Sequence, residues 1–151
     1  METTMFQRGF VAGCRDIDID GRFRNSTCLE RAGDIRMMFF ANHGNTVESL
    51  RQQRLLPVVL KDKLEYLRNI ELLEEYKVSL TLAGVAPDGS RYMLRSELVR
   101  GDGKAAVKVT STCCWVDLNT RKMTVPPKSF VDLLQRLPMT SDYQILNSGI
   151  K

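Results

Sequence analysis

The residues with the clearest chemical potential lie in one acidic segment near the N-terminus. Asp16, Asp18 and Asp20 alternate with isoleucines and are followed directly by Gly21. A carboxylate can act as a nucleophile or as a general base when it is held beside an electrophilic carbon. Mutual repulsion among the three acids could also raise the pKa of one of them. Asp18 is the candidate reactive residue, and we expect Asp16 and Asp20 to be solvated.

A helix is predicted to begin immediately after this segment. Thr27 and Glu30 have the spacing of a capping box, and Asn25 or Ser26 could also cap the helix. Beyond the cap, apolar residues recur at three- and four-residue intervals, which predicts an amphipathic helix over residues 26–41. Free backbone N–H groups at a helix start carry partial positive charge, so they could hold a developing oxyanion beside the acids.

A calcium-binding loop is one alternative for the acidic segment. Asp16, Asp18, Asp20 and Gly21 match four positions of the EF-hand loop. The pattern then requires a bidentate Glu where this chain has Thr27, and the preceding segment lacks the pattern of an entering helix. The sequence therefore disfavours calcium binding, and we expect no metal site.

The same segment resembles a known family signature. Residues 16–25 read Asp-x-Asp-x-x-Gly-Arg-Phe-Arg-Asn. They are similar to the Asp-x-Asp-x-x-Gly-His-Val-Asn-Asn signature of hot-dog-fold acyl-CoA thioesterases of the 4-hydroxybenzoyl-CoA thioesterase type. Residues 64–68 resemble the second strand of that family, and residues 117–127 resemble its final strand and exit. Two positions depart from the signature, because Arg22 replaces the usual His and Arg24 replaces the first Asn.

The resemblance, which covers residues 6–137 by the order of elements, implies a reaction. In the resembling thioesterases the Asp at the position of Asp18 attacks the thioester carbon or activates a water that does so. The carbonyl oxygen would lie against backbone N–H groups between Gly21 and Asn25. The substrate would be a thioester of coenzyme A or of an acyl carrier protein, and no cofactor is implied.

The candidate substrate-binding residues come from the signature and from basic strand ends. They are Gly21, Arg22, Phe23, Asn25, Arg91 and Arg121. Asn25 could orient the substrate or cap the helix. Arg22 either reaches Asp18 and holds it ionised, or points outward to a phosphate of coenzyme A. Arg91 and Arg121 could clamp phosphates, although a solvated strand end is the default interpretation of each.

A non-catalytic protein of the same fold is the alternative function. Such a protein would bind an acyl thioester or an acyl-carrier partner without cleaving the thioester. The departures at Arg22 and Arg24 motivate this alternative. The resemblance also implies assembly by pairing of protomers with active sites at the interface, so we expect a homodimer or a dimer of dimers.

Composition and charge limit the remaining classes. The 151 residues are 43% hydrophobic and 26% charged, which fits one globular domain over residues 1–151. The net charge of +4 suits the phosphates of coenzyme A, but no run of five like charges marks a nucleic-acid tail. We find no secretory signal, no stretch long enough to cross a membrane and no metal-ligand spacing among the cysteines. We expect a cytoplasmic protein with four reduced core cysteines and no nucleic-acid or membrane partner.

Periodicity predicts the order of the elements. We expect a first strand over 6–15 and, after the long helix, a short helix over 47–53. The later strands are predicted over 58–68, 76–85, 91–100 and 105–117. A short helix capped by Ser129 is predicted over 130–137, and no pattern follows Pro138. This order predicts an α+β domain with an antiparallel sheet curled round one long helix, and the resemblance identifies that architecture as the hot-dog fold.

Overall fold

The computed structural model of the protein describes residues 5–150. Its strands are β1 (Phe6–Val11), β2 (Leu55–Tyr66), β3 (Glu75–Val85), β4 (Arg91–Arg100), β5 (Ala105–Asp117), β6 (Met123–Thr124) and β7 (Met139–Ile145). Its helices are α1 (Asn25–Asn42), α2 (Val47–Gln52) and α3 (Lys128–Leu134). Within the described residues, no helix combines the length and the apolar character that crossing a bilayer requires.

The strands form one sheet with the main order β1-β3-β4-β5-β2. Neighbouring strands on this path are antiparallel, as the tight turns between β3, β4 and β5 require. The short β6 pairs with the end of β5, and β7 pairs with β3 in parallel. Since β2 lies at one edge of this sheet, one of its sides offers backbone groups for pairing with another chain.

Helix α1 packs across one face of the sheet. Its buried residues include Cys28, Ala32, Ile35 and Phe39, which recur at intervals of three and four residues. Met38, which belongs to the apolar run around residue 40, is 37% exposed. The helix is therefore amphipathic, and the sheet covers one side of it.

An aromatic cluster joins α1 to the sheet and to α3. The ring centroid of Phe40 lies 5.5 Å from that of Trp115 on β5 and 6.4 Å from that of Phe130 on α3. Trp115 also lies 4.7 Å from Phe130 and 5.6 Å from Tyr92 on β4. All four side chains are buried. Because tilted and edge-to-face aromatic pairs add to the gain from apolar burial, this cluster fixes the C-terminal half of α1 against the sheet.

The predicted α+β architecture and most of its elements are confirmed. Strands β4 and β5 have the predicted bounds, and α1 extends one residue beyond the prediction at each end. The first strand ends at Val11 rather than at residue 15, because Gly13 precedes a short 3-10 turn over Cys14–Asp16.

The predicted helix caps are wrong. The residue before α1 is Arg24, and it makes no side-chain cap. Thr27 instead lies within the first turn and donates its hydroxyl to Oδ1 of Asp16 at 3.3 Å. Helix α3 follows Pro127, so Ser129 lies inside that helix rather than at its cap.

Strand β7 forms where no sequence pattern predicted structure. Most of its side chains are exposed, so they show no alternation of apolar and polar residues. Its backbone pairs with β3, and Asp142 accepts two hydrogen bonds from the guanidinium of Arg95, both at 2.9 Å. Partners distant in the sequence therefore hold this strand in place.

The four cysteines are free, and three of them are buried. Cys14 is exposed, so the prediction that all four occupy core positions is wrong at Cys14. Burial raises the pKa of the Cys28 and Cys113 thiols to about 11. Both thiols are therefore protonated at neutral pH, and a protonated thiol is a poor nucleophile.

Alkylation of the folded protein tests this arrangement. Iodoacetamide at about pH 8 should label Cys14 alone, because it is the one exposed thiol of the four. Peptide mass spectrometry would identify the labelled residue, and the denatured protein should take four labels. Labelling of Cys28 or Cys113 in the folded protein would contradict the burial described above.

Candidate active site

The acidic segment folds into a miniature hairpin ahead of α1. Ile17 and Phe23 form an antiparallel bridge. The N–H of Asp18 donates to the carbonyl of Arg22 at 2.8 Å, and the N–H of Gly21 donates to the carbonyl of Asp18 at 3.0 Å. Gly21 has a φ of 78°, which other residues rarely adopt, so the tight tip favours glycine at this position.

The carboxylate of Asp18 helps to shape this tip. Its Oδ1 accepts hydrogen bonds from the backbone N–H groups of Asp20 and Arg22, both at 2.9 Å. The side chain is half-buried and lines a cleft. Since Oδ1 takes both N–H groups, Oδ2 is the oxygen through which this carboxylate can act on a substrate.

Asp16 has a structural role, so its predicted solvation is wrong. It is 7% exposed. Its carboxylate accepts a hydrogen bond from the N–H of Gly13 at 2.8 Å and the one already described from Thr27. Oδ1 also lies 3.6 Å from Nη2 of Arg31, which donates from Nε to the hydroxyl of Tyr76 at 2.9 Å. Asp16 therefore ties the turn to α1 and, through Arg31, to β3.

The three aspartates do not converge on a common point. Asp16 is bound inward, Asp18 is bound to its own turn, and Asp20 is exposed. Across residues 5–150, no group of three or more His, Cys, Asp or Glu side chains is arranged to hold a metal ion. The carboxylates thus have separate roles rather than the shared role that a calcium loop requires.

A cleft of about 760 Å³ opens beside the turn. The turn and the start of α1 form one wall, and the end of β2 with the loop after it forms the other. Tyr66 and Leu67 are 53% and 50% exposed on that second wall, so they offer apolar surface to a ligand. Arg22 and Arg68 line the same cleft together with the acids Asp18, Asp20 and Glu71, so its lining carries charges of both signs.

The structure brings together most of the predicted site residues. Those that line the cleft are Asp18, Gly21, Arg22, Phe23 and Asn25. Arg91 and Arg121 do not line it. Arg91 begins β4 opposite Cys114, and Arg121 lies in the turn after β5. Within one chain these two arginines therefore lie at the end of the sheet opposite the cleft.

Two alternatives for Arg22 are distinguished by its surroundings. Its side chain is exposed, and it makes no ion pair with Asp18 among the described residues. It does not therefore hold Asp18 by direct pairing. The outward position leaves its guanidinium available to an anionic group in the cleft.

The candidate oxyanion donors lie further along the chain than predicted. The backbone N–H groups of residues 21–24 are already used, because Asp16, Asp18 and Asn69 accept them. The N–H groups of residues 25–27 have no acceptor within the helix, and no side chain of residue 24 caps them. The available donors therefore begin at Asn25, the last residue of the predicted range.

Asn69 is a site residue that no motif in the sequence indicates. Its Oδ1 accepts a hydrogen bond from the N–H of Phe23 at 2.9 Å, and its Nδ2 donates to the carbonyl of Gly21 at 3.0 Å. Its own carbonyl accepts a hydrogen bond from Arg100 at 3.2 Å. One amide side chain therefore clamps both sides of the turn that carries Asp18.

Replacement of Asn69 tests this clamp. Asn69→Ala removes both hydrogen bonds, so it should lower the free energy of unfolding by about 1 kcal/mol. Hydrogen exchange should show faster exchange of the Phe23 amide. Asn119→Ala, which removes an exposed contact to Arg54 outside the cleft, is the matched control. Unchanged protection of the Phe23 amide in Asn69→Ala would show that the turn holds itself.

Comparison with known structures relates this geometry to other proteins. A hypothetical protein from Staphylococcus aureus in complex with CoA superposes with a TM-score of 0.82 at 19% identity, over 93% of this chain and 90% of that one. A putative oleoyl thioesterase from Lactobacillus plantarum superposes at 0.83 and 14% identity, over 99% and 55%. A 1,4-dihydroxy-2-naphthoyl-CoA thioesterase from Synechocystis superposes at 0.76 and 10% identity, over 87% and 96%. At such identities these likenesses show the fold alone.

Comparison of the sequence gives the family. No curated protein matches the chain. The model of the Thioesterase-like superfamily matches residues 13–136, a range that contains the acidic turn, α1 and β2 to β6. The predicted hot-dog fold is confirmed, and the chain belongs to the Thioesterase-like superfamily.

Proposed function

We propose that the protein is an acyl-CoA thioesterase-like hydrolase with Asp18 as its catalytic residue. The observation that carries the proposal is that Asp18 and Asn25, the first residue of a helix without a side-chain cap, line the same cleft. Thioester hydrolysis needs a nucleophile or base near the carbonyl carbon and donors near the carbonyl oxygen. The acidic turn supplies the carboxylate, and the start of α1 supplies the N–H donors.

Asp18 can act by either of two routes. As a nucleophile, its carboxylate oxygen attacks the thioester carbon, the C–S bond breaks, and the thiolate leaves and takes a proton from water. A second water then hydrolyses the anhydride. As a general base, Asp18 takes a proton from a water that attacks the same carbon. In both routes the N–H groups at the start of α1 stabilise the oxyanion, and one such donor is worth about 100- to 1000-fold in rate.

Two arginines in the cleft support a thioester of coenzyme A. Arg22 and Arg68 are exposed in the cleft, where they can meet phosphate groups. The S. aureus protein of the same fold was solved in complex with CoA. An acyl carrier protein would offer the same thioester and a phosphate on its prosthetic arm, so it is an equally suitable donor.

Replacement of Asp18 by Asn tests the assignment. The amide Oδ1 can still accept the two N–H groups of the turn, so the fold should be kept while thiol release from acyl-CoA falls by about 100- to 10,000-fold. Asp132→Asn changes an exposed acid outside the cleft and should keep wild-type activity. Full activity in Asp18→Asn with an unchanged melting temperature would exclude Asp18 as the catalytic residue.

One observation favours a second candidate function, the binding of an acyl thioester without cleavage. Oδ1 of Asp18 is bound to two N–H groups, and the N–H groups of residues 21–24 are occupied. A turn whose hydrogen-bonding groups are occupied in this way could hold a ligand without activating it. Tight binding of acyl-CoA by calorimetry with no released thiol would support this alternative.

We also propose that the protein is a homodimer or a dimer of dimers that pairs through β2. This strand lies at the sheet edge and carries half-exposed apolar side chains at Leu56, Val59 and Leu60. An exposed apolar edge strand is a template for pairing with another chain. An isologous pair of such edges would place two clefts in one assembly.

Light scattering tests this assembly, and it should give the mass of two or four chains. Leu60→Lys places a charge on the edge and should shift the protein toward one chain, because a buried unpaired charge is costly. Ile145→Lys, on the far side of the sheet at an exposed position, should leave the mass unchanged. A wild-type protein with the mass of one chain would contradict the proposal.

A further inference from the structure

The cleft and a second cavity are both lined by α1 and the edge strand β2, and we call the strip between these two elements the seam. Asn25 of α1 and Tyr66 of β2 line the cleft. Further along the same two elements, Gly33 and Val59 line a second cavity of about 210 Å³. Arg36 also lines that cavity, eleven residues beyond Asn25 and thus about 16 Å along the helix. The cleft and the cavity are therefore two sites on one seam.

The two sites lie on the same side of each element. Eleven residues make about three turns of α-helix, so Asn25 and Arg36 share one face of α1. In β2 the register shifts between Val59 and Lys61. This shift brings Val59 onto the side of the strand that carries Asp62, Leu64 and Tyr66.

The wall between the two sites is partly apolar. Leu29 of α1 lies between Asn25 and Gly33 and is 37% exposed, and Leu64 of β2 is half-buried. Methylene groups of a ligand would find apolar partners along this part of the seam.

Gly33 leaves room at the entrance of the cavity. Glycine is disfavoured in a helix interior, so its position in α1 calls for a packing reason. A methyl group added at Gly33 would meet only Nη2 of Arg36, at 3.7 Å. The space beside this glycine is therefore open to a ligand.

The cavity also contains a buried hydroxyl that lacks a strong hydrogen-bond partner in the core. Tyr92 lines it and is fully buried, and in the described part of the chain its hydroxyl has no oxygen or nitrogen partner, only the weakly hydrogen-bonding thiol of Cys113 as a neighbour. A buried hydroxyl without a partner is costly. Burial, together with the neighbouring Cys113, raises the pKa of Tyr92 well above its usual value, while Arg36 opposes this effect. At neutral pH the phenol therefore keeps its proton, and its O–H can donate a hydrogen bond to a ligand.

Arg36 lines the same cavity as Tyr92, and not all of its N–H groups are used. Its Nη1 donates to Oγ of Ser111 at 2.9 Å, and Ser111 donates to Oδ1 of Asp62 at 2.5 Å. Since a guanidinium has five N–H donors, Arg36 can also bind a ligand. Asp62 offsets its charge through Ser111, so the cavity suits a neutral oxygen better than a second carboxylate.

We propose that the acyl group of the substrate extends along this seam and that Tyr92 and Arg36 bind an oxygen at its far end. The inference rests on the proposed function and gives it a substrate class. The substrate is the thioester of an aliphatic acid that carries a hydroxyl or carbonyl oxygen at the far end of its chain. A single aromatic ring is too short to reach from the start of α1 to Arg36. An unsubstituted alkyl chain would leave the Tyr92 hydroxyl without an acceptor.

The experiment compares ω-hydroxydecanoyl-CoA with decanoyl-CoA, measuring both thiol release and binding by calorimetry. Wild type should prefer the hydroxylated thioester by about tenfold in kcat/KM, the value of one well-placed hydrogen bond. Tyr92→Phe keeps the ring and should bring the ratio to about one. Tyr143→Phe, which removes a hydroxyl from a partly buried tyrosine outside both sites, should keep the wild-type ratio.

A cavity-filling variant provides a second test. Gly33→Leu places a side chain in the seam, so it should lower kcat/KM for both decanoyl thioesters by a larger factor than for acetyl-CoA, whose acyl group is too short to reach Gly33. Equal loss with acetyl-CoA would show that the seam is not the acyl site.

The outcomes separate this inference from the proposed function. Thiol release from both decanoyl thioesters with a ratio near one in wild type would overturn the inference and leave the hydrolase assignment intact. No thiol from any thioester would overturn the hydrolase assignment. In that case the ratio of the two dissociation constants, in wild type and in Tyr92→Phe, decides the inference in the same way.

Discussion

A buried carboxylate must be paired with donors, and this constraint at Asp16 positions the candidate site. Asp16 binds the backbone before the turn through Gly13 and the first turn of α1 through Thr27. It also approaches Arg31, which reaches Tyr76 in the sheet. One side chain thus joins the acidic turn, the long helix and β3. Because Asp18 follows two residues later in the same turn, these contacts of Asp16 also fix the position of Asp18 in the cleft.

The elements that could be predicted from the sequence are those with a strong local signal. β4 and β5 alternate and are joined by a turn whose Gly103 has a φ of 83°, so their bounds follow from the pattern alone. β7 carries no such signal, because its side chains are mostly exposed and its contacts to β3 and Arg95 are distant in the sequence. The capping box at Thr27 failed for the same reason, since a buried acid captured the hydroxyl.

The candidate site divides along the same line. The motif located Asp18 and its neighbours because they are consecutive in the chain and fold as one turn. Asn69 lies 46 residues from the backbone group it binds, and a single Asn in a loop gives no sequence signal. Nothing in the sequence distinguishes Tyr92 from an ordinary core residue or Arg36 from an ordinary helix residue. Only the cavity that both residues line sets them apart. Arg91 and Arg121 were predicted from their charge and their place near strand ends, and neither property says which end of the sheet a residue occupies.

The way in which the turn is built has a consequence for how such a site can diversify. Arg22 and Arg24, the two positions that depart from the family signature, contribute backbone atoms to the turn: Arg22 its N–H and carbonyl, Arg24 its N–H. Their side chains are exposed and are not used in the bonds that shape it. The side chain of Arg22, which lines the cleft, can therefore be exchanged in evolution without a change in the hydrogen bonds that shape the turn. Position 22 is therefore one at which protein engineers can alter ligand selectivity while the backbone geometry around Asp18 is kept.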